Sequence, residues 1–259
     1  MYYSKGIFCF LITVFSLGFS VPANAEKTTI AVAANFTAAA KELAEVFTAK
    51  TDHEVALSFG STGKLFTQII YGAPFDVFLA ADSERPKRAE QEGLTVKGTR
   101  FTYAQGQIVL WSRGPSHLDP KGSALQQVRL LQSKSTTRLA IANPKTAPYG
   151  RAALEALTKL GVYDDIKSKI VQGENIAQTY QFAYTGNAEL AVVSLSQITL
   201  NKDGAHWVVP LELYAPLDQQ VVLLKKGAEN KAAIAFISFL KSNEAAVIIR
   251  EFGYTLNQE

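Results

Sequence analysis

Short apolar or β-branched runs alternate with longer stretches of helical period along most of the chain, the pattern of an α/β protein whose strands are joined by crossover helices. Residues 29–33 read as a first strand. Ala40, Leu43, Ala44 and Phe47 then recur at the spacing of one helical face, opposite Lys41, Glu42 and Glu45. Residues 54–59 read as a strand, 60–63 as a turn, 64–71 as a helix and, after Pro74, 76–80 as a third strand. A second set follows. It has strands at 108–111 and 138–142, a Pro-containing loop at 143–150 and a helix at 151–160 ended by Gly161. A strand at 169–171, a helix at 176–184 and a buried strand at 190–193 continue it. A strand at 221–224 and helices at 232–240 and 245–252 close the chain.

Two stretches, 103–107 and 214–220, break the periodicity without the composition of a flexible linker. They read as two crossings between lobes, so that the last segment returns to complete the first lobe and the pair forms a hinge. One continuous sheet with two surface loops is the alternative that the pattern leaves open. The expected fold is α/β with two lobes, each a mostly parallel sheet flanked by helices. Lobe 1 is expected at 26–104 plus 218–259, and lobe 2 at 105–217.

The first residues depart from this pattern. Lys5 precedes an apolar run over 6–19, and Ala23-Asn24-Ala25 sets small residues where a signal peptidase reads. That run is shorter than the roughly twenty residues needed to span a bilayer. The expectation is a signal peptide at 1–25, cleaved after Ala25, and a periplasmic protein. Cys9, the single cysteine, falls inside it, so the mature chain has neither disulfides nor thiolate chemistry. Charge is nearly balanced, 26 basic against 23 acidic residues, which points away from nucleic acid and anionic membranes. There is no internal repeat at a fixed period.

Four loop-to-helix junctions follow strands: Ala34-Asn35-Phe36-Thr37, Gly60-Ser61-Thr62-Gly63, Ala147-Pro148-Tyr149-Gly150 and Gly173-Glu174-Asn175-Ile176. A helix N-terminus at the carboxyl end of a strand offers unpaired N–H groups and partial positive charge, an anion site. Taken singly, Asn35, Ser61 and Thr62 are also ordinary helix-capping residues. The set of four, two in each lobe facing a shared cleft, favours an anion. Gly60-Ser61-Thr62-Gly63-Lys64 is not a P-loop, because the first glycine is misplaced and Leu65 stands where the magnesium-binding hydroxyl belongs.

Enzyme readings find little support. There is no nucleophile elbow, and His53, His117 and His206 have no metal-ligand spacing and read as surface residues. Asp82 with Glu84 reads as a helix start and Asp76 as a residue ordering a strand entrance. Phe36, Phe59, Phe75 and Phe78 read as core.

At these junctions the sequence resembles the periplasmic molybdate-binding proteins of ABC importers, along the whole mature chain. The likeness is carried by Val32-Ala33-Ala34-Asn35-Phe36-Thr37, by Ser58-Phe59-Gly60-Ser61-Thr62-Gly63-Lys64-Leu65, and by Gln68-Ile69 with Gly72-Ala73-Pro74-Phe75-Asp76-Val77-Phe78. Ala142-Asn143-Pro144, Ala147-Pro148-Tyr149-Gly150 and Phe252-Gly253-Tyr254 complete it. The resemblance implies a hinged, type II periplasmic binding protein fold that holds molybdate or tungstate by hydroxyls and backbone N–H groups, with no protein atom ligating the metal and no cofactor. It implies delivery to an inner-membrane ABC permease by a monomer that is not an enzyme.

By position, the implied site is Asn35, Ser61, Thr62, Tyr149, Ile176 and Ser194. Asn35 stands where a serine hydroxyl often serves, and its amide can donate to a fully deprotonated anion. Tyr149 and Ile176 are expected to act through backbone N–H groups, leaving their side chains free to vary. Ser194 falls where some members place a tyrosine hydroxyl, and its own is shorter. Another tetrahedral oxyanion such as sulfate is the alternative ligand; an enzyme on the same scaffold is the alternative class.

Overall fold

The computed structural model describes residues 25–114, 118–200 and 203–256. The expected signal peptide, apart from Ala25, and His117 lie outside the described residues. Two five-stranded sheets form two lobes. In the first, β1 (Lys27–Ala33), α1 (Thr37–Thr51), β2 (Glu54–Gly60), α2 (Thr62–Ile70) and β3 (Val77–Leu79) make two successive crossovers, followed by α3 (Glu84–Gln91) and β4 (Phe101–Gly106). Gln107 alone separates β4 from β5 (Ile108–Ser112), which belongs to the second sheet.

That lobe continues with α4 (Ala124–Gln132), β6 (Leu139–Ala142), α5 (Pro148–Lys159), α6 (Tyr163–Ile166), β7 (Ile170–Gly173), α7 (Ile176–Tyr184), β8 (Leu190–Ser194) and β9 (Ala205–Val208). The chain then returns through β10 (Leu217–Leu223), and α8 (Lys231–Phe239) and α9 (Asn243–Glu251) close the first lobe.

The strand orders are β2-β1-β3-β10-β4 and β7-β6-β8-β5-β9. Each sheet is mixed rather than mostly parallel: two pairings are parallel and two antiparallel. The cause is the connection between the lobes. Strands linked by a crossover helix must run parallel, but β5 and β10 each arrive from the other lobe and slot in antiparallel between an inner strand and an edge strand. The stretches read as crossings are therefore strands. Leu217 pairs with Gly106, so the two crossings run side by side as a ribbon at the hinge.

Central strands are apolar on both faces because helices cover both. Ile30, Val32, Val77 and Leu79 pack under α1, α8 and α9, with Phe47 and Phe236 in edge-to-face contact at 5.3 Å. On the opposite face Ala31, Phe78 and Val222 meet Leu65, Phe66 and Ile69 of α2. Ala40, Leu43, Ala44 and Phe47 are all buried, as their spacing predicts. Phe59 is not core: it sits near the end of the edge strand β2, 38% exposed, with the Lys41 ammonium 6.0 Å from its ring. Asp76 orders the entrance of β3, its carboxylate accepting from Thr29 N at 2.8 Å and Thr28 Oγ1 at 3.2 Å. Asp82 accepts from Arg85 N at 3.0 Å at the start of α3.

Three helices begin two or more residues earlier than periodicity indicates, α9 among them at Asn243. Helix α2 starts at Thr62 and α5 at Pro148, whose fixed φ suits a first helical turn. The first turn of α5 lies so close to the end of β6 that a Cβ on Gly150 would fall 2.2 Å from the Ala142 carbonyl oxygen. Gly150→Ala is therefore expected to lower unfolding free energy by about 2–4 kcal/mol. Urea denaturation of the two proteins checks this, and equal midpoints would contradict the close approach.

Candidate functional site

All four junctions meet in one small cavity between the lobes. It is lined from the first lobe by Ala33, Ala34, Asn35, Gly60, Ser61, Thr62 and Ala81, and from the second by Ala147, Pro148, Tyr149, Asn175 and Ile176. The strand ends explain the convergence. β1, β2, β6 and β7 all point their carboxyl ends at the cleft, and each is followed by a helical start: a 3₁₀ turn at Ala34–Phe36, then α2, α5 and α7. Their first N–H groups have no intrahelical acceptors. The cavity measures about 10 Å³, a space for a compact ion rather than an organic solute.

Helix capping, the ordinary role for the hydroxyls here, is not what they do. Ser123, Asn175, Asn230 and Ser242 cap their helices through side-chain oxygens. Ser61, the residue preceding α2, makes no such bond. Its Oγ is one of two buried side-chain oxygens without a hydrogen-bond partner among the described residues; the other is Thr146 Oγ1. Thr62 Oγ1 accepts from Ala81 N at 3.1 Å. That bond occupies an acceptor lone pair and leaves the hydroxyl proton to donate.

Asn35, Tyr149 and Ser194 differ from expectation. The Asn35 amide is not a free donor: its Nδ2 donates to Gln219 Oε1 at 2.7 Å and to Tyr254 Oη at 3.0 Å. The Tyr149 side chain is not free to vary. It is fully buried, and its hydroxyl accepts from Gln219 Nε2 at 3.1 Å. Ser194 does not line the cavity; its hydroxyl lies 2.8 Å from Ser196 Oγ, in the same polar cluster below. Ile176 lines the cavity at the first turn of α7. The cluster residues Gln219, Tyr254 and Ser196 were missed because nothing in their local sequence marks them, although Phe252-Gly253-Tyr254 carried part of the resemblance.

The cleft is shut by contacts across its rim. Gly63 N donates to Thr146 O at 2.8 Å, Arg151 pairs with Glu84 at 2.7 Å, and Lys64 pairs with Glu174. The hydrogen bond from Arg151 holds the Glu84 carboxyl below the usual range. Lys64 thus spends its charge on the exposed rim. A larger cavity of about 540 Å³ lies between Arg113, Thr136, Tyr184 and Glu189 and shares no lining residue with the cleft. It contains no unpartnered buried polar atom among the described residues. His53 accepts from Glu26 N at 3.1 Å and His206 is exposed, and neither enters the cleft.

Two hinged α/β lobes closing on a donor-lined cleft make the architecture of a solute-binding protein, and residues 28–255 match the family of bacterial extracellular solute-binding proteins. The chain is 49% identical over 238 residues to the molybdate-binding protein ModA of Rhodobacter capsulatus, covering 92% of each. It is 48% identical over 237 residues to ModA of Azotobacter vinelandii, covering 90% of this chain and 92% of that one. It is similar in structure to the periplasmic molybdate-binding protein of Azotobacter vinelandii, with a TM-score of 0.84 and 36% identity over 89% of this chain and 100% of that one. The chain belongs to the ModA family.

Burial pushes the hydroxyls of Tyr103 and Tyr149 well above the ordinary tyrosine value and that of Tyr254 up to about 12. A raised folded value means that the stability these groups contribute is complete below the unfolded tyrosine pKa of about 10 and is lost as pH rises through the folded one. Urea denaturation should therefore give a stability that is level from about pH 6 to about pH 9 and falls above about pH 10. A rise in that upper range would contradict a buried neutral cluster.

Proposed function

We propose that this chain is the exported component of an ABC importer that captures molybdate, and tungstate with it, between its lobes and delivers it to an inner-membrane permease. The observation that carries the reading is the Ser61 hydroxyl, buried and unpartnered on the wall of a cavity where four helical starts converge. The names of the 49% and 48% identical relatives support the choice of molybdate.

The mechanism follows from the donor set. A buried dianion is stable only when its oxygens are hydrogen-bonded. The cavity offers the Ser61 hydroxyl, the Thr62 proton and the first N–H groups at Asn35, Tyr149 and Ile176, reinforced by helix dipoles. Fixed neutral donors favour a fully deprotonated tetrahedral oxyanion, because a protonated one needs an acceptor as well. We assign no cofactor and no direct protein ligand to the molybdenum, and a monomer acting in the periplasm. A binding role rather than catalysis is supported by the relatives, which are named as binding proteins.

Isothermal titration with molybdate, tungstate, sulfate and phosphate tests the assignment. Tight binding of the first two, weaker sulfate and no phosphate is expected. A preference for sulfate would move the assignment to that anion, and no heat with any of the four would overturn oxyanion capture. Ser61→Ala should lower molybdate affinity about tenfold to a hundredfold while leaving the ligand-free melting temperature unchanged or raised, since it deletes an unpaired buried hydroxyl. Thr62→Ala should cost both affinity and stability, because Ala81 N loses its acceptor. Lys64→Ala should cost less affinity than either; the reverse ranking would mean that charge holds the ligand.

A further inference from the structure

Beneath the cavity, seven buried neutral side chains from both lobes form one polar cluster. Asn35, Tyr103, Gln219 and Tyr254 come from the first lobe; Tyr149, Ser194 and Ser196 come from the second. Several of its hydrogen bonds cross between the lobes. Gln219 Nε2 donates to Tyr149 Oη at 3.1 Å, Ser196 Oγ donates to the Asn35 carbonyl at 3.0 Å, and the Tyr254 hydroxyl lies 2.9 Å from Ser196 Oγ. The Asn35 carbonyl, 2.8 Å from the Tyr254 oxygen, is the alternative acceptor for the single Tyr254 proton.

The hinge is shaped around this cluster. A Cβ on Gly106, the last residue of the first crossing strand, would fall 1.9 Å from Tyr149 Oη and 2.9 Å from Gln219 Nε2. Asn35 and Tyr149 belong to two places at once, since both line the cavity while their side chains end in the cluster.

We propose that Gln219, Ser196 and Tyr254 are positioning residues that act through Asn35 and Tyr149 as a closure latch: they hold the lobes shut without touching the anion. Given the oxyanion-capture reading on which this rests, retention of the ligand is set in part below the cavity. Opening the hinge separates these partners and returns them to water. A typical net hydrogen bond is worth about two- to tenfold in an equilibrium constant, and apparent affinity scales with the fraction of molecules able to close.

The test uses spin labels on Leu125→Cys and Val247→Cys, both exposed positions, one in each lobe. Tyr254→Phe and Ser196→Ala are each expected to raise the open fraction, with and without molybdate. They should speed molybdate release about tenfold with association unchanged. The preference for molybdate over sulfate should stay at its original value, whereas Ser61→Ala should change it. Ser196→Thr, which keeps the hydroxyl, should restore slow release.

Wild-type distances and release rates in both variants would overturn the latch. So would a changed anion preference, which would mean that these groups contact the ligand. If the unmodified protein binds no molybdate, the functional reading fails, and the ligand-free distances still decide the latch.

Discussion

A divalent anion can be buried without a counter-charge only if the protein keeps enough donors unpaired to meet its oxygens. That requirement works against the ordinary economy of folding, in which buried polar groups find partners within the chain. Here the conflict is resolved by topology. Four strands that end at one cleft set four helical starts around it, and the backbone geometry of a helix start withholds its first N–H groups from intrahelical bonding. Ser61 extends the same logic to a side chain. At a position where serine commonly caps the helix, its hydroxyl makes no cap bond and has no partner within the protein, which is what the proposed role as a ligand donor requires.

The same constraint explains why the surroundings are so fully satisfied. Around the few open donors, Thr62 is anchored by Ala81 N, Asn35 by Gln219 and Tyr254, and Tyr149 by Gln219. A group that can rotate away loses its geometry, so these three cavity residues are held from behind. The tyrosine hydroxyls in that support stay neutral because burial disfavours their ionised form. Positive charge is kept on the rim, where Lys64 and Arg151 pair with Glu174 and Glu84 from opposite lobes.

Much of this was legible in the sequence, and the reason is local. Helix α7 begins and ends where its pattern indicates, and all four junctions could be named from strand–loop–helix order. What escaped was non-local. The antiparallel seat of β5 and β10 depends on the other lobe, and the sequence carries no repeat to betray that both sheets share one strand order. Asn35 looked like a donor to the ligand because its partner Gln219 stands 184 residues away. Ser194 matched a site position by alignment of motifs, but its hydroxyl is captured by Ser196, two residues on. The start of helix α3 was readable from Asp82 and Glu84, but its extent, with few apolar residues, and β9 had too weak a period to be read.

The exchange of strands between the lobes has a consequence for how the chain reaches this state. β10 fills the position between β3 and β4 in the first sheet, yet it follows the whole of the second lobe in sequence. The amino-terminal half therefore cannot assemble its own sheet as it emerges; Val77 to Leu79 wait for Val221 to Leu223. Such long-range pairing slows folding, because loop closure must precede the contacts that reward it. The order of the strands thus ties completion of the first sheet to a segment made only after the second lobe, whose own five strands lie together in sequence, has been synthesised.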